Sequence, residues 1–157
     1  MNPRKRYTTL ALFFILFPFT QHLYSQVSTY TFASSSGTFS TIVGGPGTAV
    51  VTNTADDDNY GTYPIGFTFT FNGNDYTTFG INANGFISMG YVPVTTNNAL
   101  SSGLNNNIIS AFNNDLYGVS SSGAQISYQS SGSVGSRILT VEWSNWGFFS
   151  TGLNEFT

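Results

Sequence analysis

Between Pro64 and Phe71 apolar and small polar positions alternate: Ile65, Phe67, Phe69 and Phe71 fall on one side, and Gly66, Thr68 and Thr70 on the other. A period of two is that of a strand, and four large apolar groups on one side define a face that seeks a core. Asn72-Gly73-Asn74-Asp75 follows, with residue types that tolerate positive φ, so the chain is expected to reverse into a second strand over Tyr76–Ile81. Asn82-Ala83-Asn84-Gly85 repeats the device before Phe86–Met89, which predicts a three-strand meander. Further strands are predicted at Thr29–Phe32, Thr48–Val51, Ile108–Phe112, Gln125–Gln129 and Ile138–Trp143, each flanked by Gly, Ser or Asn. In the last of these Leu139, Val141 and Trp143 share one face, with Thr140 and Glu142 on the other. Val94–Asn107 and Val119–Gly123 are polar and read as loops. From Gln26 onward no window carries the 3.6-residue spacing of a helix, so the fold class is all-β. Short strands at this spacing predict one antiparallel β-sandwich over residues 26–157, of Ig-like or jelly-roll-like kind.

The first 25 residues have a different pattern. Met1–Arg6 is basic, Leu10–Phe19 is apolar, and a short polar exit ends at Leu23-Tyr24-Ser25. This is the layout of a secretory signal peptide over residues 1–25, with cleavage after Ser25. The apolar run is about half of the ~20 residues a bilayer span needs, and it contains Pro18. No transmembrane anchor is therefore expected in the mature chain, which is assigned to the outside of the cell or its surface.

Charge narrows the partners. Only 7% of the 157 residues are charged, against about 25% in an ordinary domain. Beyond Arg6 the sole basic residue is Arg137, against seven acids. Nucleic-acid binding draws on clustered Lys and Arg, so a nucleic-acid partner is excluded. With no cysteine there is no disulfide framework, thiolate nucleophile or zinc-thiolate site.

Little catalytic chemistry remains. Lys5 and His22 both leave with the signal peptide, so the many hydroxyls beyond it lack the usual activating bases. Asp115 and Glu142, both near aromatic residues, are the surviving pair for acid–base work on a sugar, which would need carboxyls about 5 to 10 Å apart. Asp56-Asp57-Asp58-Asn59 is the one charge cluster; its oxygens could hold calcium, but its spacing departs from the alternating acidic loop of an EF-hand and its composition better suits a solvated turn. Tyr60, Tyr63, Tyr91 and Tyr117 lie near loops, and Tyr91 and Tyr117 are the candidates for stacking on a glycan or a partner protein; core packing is the competing role for each.

The ordered series Pro64–Gly73, Tyr76–Gly90, Asn107–Leu116, Ala124–Gln129 and Arg137–Trp143 resembles the N-terminal β-sandwich module of large secreted proteins of Bacteroidetes, which often end in a type IX (Por) secretion sorting domain. The Asn84-Gly85-Phe86-Ile87-Ser88-Met89-Gly90 stretch also resembles the nidogen-type extracellular domain. The first resemblance implies further strands after the Trp-bearing one and further domains of a parent protein. The chain stops at Phe156-Thr157 shortly after Trp143, Trp146, Phe148 and Phe149, and the sandwich is expected to continue beyond it. The resemblance brings no catalytic residue set. The expected function is a non-enzymatic extracellular structural or adhesion module of a larger secreted protein, facing a glycan or a cell-surface protein. The alternative is a carbohydrate-binding module using loop aromatics. No cofactor is expected other than calcium at the acidic cluster.

Overall fold

The computed structural model describes residues 31, 33–94, 100, 103–112 and 114–149. The expected signal peptide, residues 1–25, lies outside them, as does the strand expected at Thr29–Phe32 except for Thr31, which is in no strand. The regular elements among the described residues are nine strands and a 3-10 turn at Ser120–Ser122. They are β1 (Thr48–Thr52), β2 (Asn59–Phe71), β3 (Asn74–Asn82), β4 (Phe86–Met89), β5 (Ile108–Ser110), β6 (Leu116–Gly118), β7 (Gln125–Ser131), β8 (Ile138–Ser144) and β9 (Trp146–Phe148). Every pairing is antiparallel, in three sheets ordered β1-β7-β8, β2-β3-β4-β5 and β6-β9. The fold is the all-β antiparallel sandwich that the alternation predicts.

The meander forms where the pattern places it. Asn72 and Gly73 both take positive φ, 49° and 76°, at the β2–β3 reversal. Ile65 is fully buried and Phe67, Phe69 and Phe71 are half-buried, while Thr68 and Thr70 face solvent. β2 is longer than predicted, beginning at Asn59, and its register against β3 shifts between Pro64 and Phe69. Within that shift Ser130 Oγ donates to the Ile65 carbonyl, and Arg137 Nη1 donates to the Gly66 carbonyl at 2.7 Å. The middle of β2 is thereby tied to the β7–β8 hairpin, joining two sheets.

One core serves all three sheets. Ile65, Phe79, Ile81, Ile87 and Met89 come from the β2–β5 sheet, Ile126 and Trp143 from the β1-β7-β8 sheet, and Leu116 and Trp146 from the β6-β9 pair. Phe79 and Tyr128 meet edge to face at 5.4 Å, and Tyr63 packs on both, a geometry that aromatic quadrupoles favour. From Phe79 to Met89 both faces of the chain are buried, because the stretch after β4 folds back over the outer side. Gly80 permits this: a Cβ there would stand 2.3 Å from the Tyr91 carbonyl oxygen and 2.6 Å from Pro93 Cδ. The returning stretch is pinned by Ser88 Oγ donating to Tyr91 O (2.6 Å), and by Asn105, which bonds both the N–H and the C=O of Val94 (2.8 and 3.1 Å).

Candidate functional site: the acidic–aromatic end

The β3–β4 turn, Asn82-Ala83-Asn84-Gly85, does more than reverse the chain. Asn82 and Asn84 are buried, so each of their polar atoms must find a partner, and each does. Asn82 Nδ2 donates to Asn59 Oδ1 (2.7 Å), and Asn82 Oδ1 accepts from the Asn84 N–H (2.7 Å). Asn84 Nδ2 donates to Asp57 Oδ1 (2.7 Å), while Asn84 Oδ1 accepts from the Leu116 N–H (2.7 Å). Both indoles close on the same turn, Trp143 Nε1 donating to Asn82 O (3.2 Å) and Trp146 Nε1 to Ala83 O (2.8 Å). Gly85 takes φ +79°, and a Cβ there would lie 2.9 Å from Leu116 Cδ1. The turn is therefore a scaffold that fixes the Asp56–Asp58 loop against the start of β6.

The result is a carboxylate trio. Asp56, Asp57 and Asp115 each present an oxygen within 4.8 Å of the others. Asp58, the third acid of the sequence cluster, turns aside and accepts from the Tyr60 hydroxyl (3.2 Å). Asp115 takes its place because Asp56 bridges Tyr117 of β6 and the Gly118 N–H donates to Ala55 O (2.8 Å). The Asp56 carboxyl is raised above its ordinary value by the partial loss of surrounding water first, then by the charges of Asp57, Asp115 and Asp58. Three hard oxygens suit a calcium ion and supply about half of the six to eight that it takes.

Aromatic residues border the trio. Tyr117 meets Phe149 edge to face at 6.0 Å, and the Phe149 N–H donates to Asp115 O (3.0 Å), so backbone bonds hold the pair next to the carboxylates. Phe149 is exposed and Tyr117 half-buried. The other tyrosines have different tasks. Tyr91 lies away from this end: its hydroxyl donates to Asn106 O (2.5 Å) and accepts from Asn106 N–H (2.8 Å), which ties the two ends of the long loop. Its phenol is raised by burial, an effect the Asn106 bond partly offsets. Tyr63 belongs to the core margin, and Tyr60 is pushed up to about 12 by burial and then by Asp58.

Glu142 stands in other surroundings from Asp115. Its two oxygens accept from Thr41 Oγ1 and from the Ile42 N–H, both at 2.7 Å, and the residue is buried. The structure thus spends Glu142 on fastening the segment before β1, while Asp115 joins Asp56 and Asp57. Asn82, Asn84 and Phe149 are site residues that sequence reasoning missed. The one available signal was a second Asn in a turn that a single Asn-Gly would have sufficed to make.

The polar side chains of this antiparallel sandwich converge on one loop end, and among the described residues no helix is long and apolar enough to cross a membrane. The family described as NIDO related matches residues 29–156, and the chain belongs to that family. This agrees with the nidogen-type resemblance of the β4 region. No curated protein and no solved structure gives a significant match.

Proposed function

We propose that the chain is a non-enzymatic extracellular module that serves a larger secreted protein as a structural or adhesive unit. The observation that carries this reading is the employment of its reactive side chains in scaffolding. Glu142 is occupied by Thr41 and Ile42, Asp57 by Asn84, and Asp58 by Tyr60, while beyond His22 the chain has no histidine or cysteine and no lysine. Membership of the NIDO-related family supports an extracellular setting. A secreted bacterial parent of the type IX class is part of the same proposal and rests on the ordered motifs alone. The test is turnover: purified protein should leave glycans and peptides intact. Hydrolysis that disappears in Glu142→Gln or Asp115→Asn would overturn the reading.

Carbohydrate recognition is the second reading, favoured by one observation: the exposed Phe149 ring and the half-buried Tyr117 ring stand beside three carboxylates. Carboxylates accept hydrogen bonds from sugar hydroxyls, and rings cover the apolar face of a sugar. A glycan array should then show binding that Tyr117→Ala abolishes and Tyr91→Phe leaves unchanged. A folded protein that binds no glycan removes this reading and leaves the first standing.

A further inference from the structure

Among the described residues the sheet orders leave β8 at one end of its sheet and β5 at one end of the other, and two clefts run in series between them. The first, about 260 Å³, lies among Phe67, Phe69, Met89, Ile109, Ile138 and Leu139, with Arg137 at its mouth. The second, about 180 Å³, continues along Thr140–Trp143 and faces Ala111 and Phe112, with Phe39 and Ser40 at its far side. Residues 137–143 line this seam without a break, so β8 borders it along nearly its whole length. The apolar groups along it are open to water: Ile138 is 59% exposed, Phe39 65% and Ile109 40%. Exposed strand edges are usually guarded by lysine or proline, and β8 contains neither.

We infer that this seam is a docking site for an extended strand of another polypeptide, apolar at alternate positions and carrying a carboxylate at the end that meets Arg137. Backbone bonds along β8 supply affinity, and the two clefts receive alternate side chains, as in strand addition to a sheet edge. Charge fixes the polarity of the ligand. Arg137 is the only cation beyond Arg6, it stands at one end of the seam, and among the described residues one of its five N–H groups is taken up, by Gly66 O. At the other end Glu142 is already satisfied by Thr41 and Ile42, so it asks for no basic partner. An antiparallel guest would thus bring its acid near its C-terminal end.

The test uses the full chain and two capped eight-residue peptides that alternate Val and Thr, one with Glu and one with Lys at the penultimate position. Binding is read from the fluorescence of Trp143, which lines the second cleft. The Glu peptide should bind saturably and roughly tenfold more tightly than the Lys peptide, and Arg137→Glu should reverse that order. Ile138→Asp, at an exposed position, should weaken both peptides while leaving the melting temperature near that of the parent. Equal binding of the two peptides, or a preference unchanged in Arg137→Glu, would overturn the proposal. So would protection from hydrogen exchange, without peptide, of those β8 amides that point away from β7, which would show that the chain fills its own seam. A dimer in sedimentation equilibrium that the Glu peptide does not dissociate would make a second copy the occupant and would equally overturn it.

Discussion

Single side chains hold the loop end together, and Asn84 matters most among them. It satisfies the Leu116 N–H and a carboxylate oxygen of Asp57 from a buried position. Asn84→Ala leaves that N–H without its partner, and the expected cost is about 2–4 kcal/mol in denaturant unfolding, since a buried unsatisfied donor loses its full desolvation energy. Glu142→Gln should cost less, about 1–3 kcal/mol: one amide oxygen still accepts, but the NH2 group confronts the second donor. Asp56 makes a prediction about pH. Its folded-state pKa is raised, so between the ordinary value of 3.8 and the raised one the folded chain binds more protons than the unfolded chain. Its contribution to stability is therefore neutral below 3.8, falls as pH rises through that window, and stays unfavourable above it. Asp115→Asn removes one of the charges responsible; the Asp56 carboxyl should titrate lower by NMR, and in calcium-free buffer at neutral pH the melting temperature should rise. In millimolar calcium the sign of the Asp115→Asn effect reads out occupancy: a trio that holds the ion loses a ligand, and the substitution then lowers the melting temperature.

At the scale of elements, the fold depends on a close approach that only glycine allows. Gly80→Ala would drive a methyl group into the Tyr91 carbonyl and the Pro93 ring, lifting the stretch that covers the outer face of β3. A loss of about 1–3 kcal/mol is expected. Gly37→Ala, with nothing within 4 Å, should be neutral in the same assay. Tyr91→Phe removes both bonds to Asn106, and faster hydrogen exchange confined to residues 91–107 is the expected outcome. The elements differ in how plainly the sequence announces them. β2, β3 and β4 were legible because long alternation and Asn-Gly turns state the same register twice. β6 and β9 were not: Leu116–Gly118 and Trp146–Phe148 are three residues each, too short for a period of two to register, and they exist because they pair with each other across the chain. The site divides in the same way. Asp56 and Asp57 stand out as a run, whereas Asp115 joins them only through the Asp56–Tyr117 bridge, a contact that no local pattern encodes. Asp58 shows the converse, since membership of an acidic run did not place its carboxylate with the others.

The whole molecule is a sandwich that spends Glu142, Asp57 and Asp58 on fastening its loops and presents an acidic, aromatic end and an apolar seam to solvent. The function proposed for it is that it binds and does not catalyse. Native mass spectrometry of the purified protein with mixed oligosaccharides and peptides tests this most directly, because it reports bound ligands and cleaved products in one spectrum. Every ligand, bound or free, should keep its original mass through prolonged incubation. Masses corresponding to hydrolysed fragments, accumulating with time and absent when Glu142→Gln or Asp115→Asn is used, would contradict it.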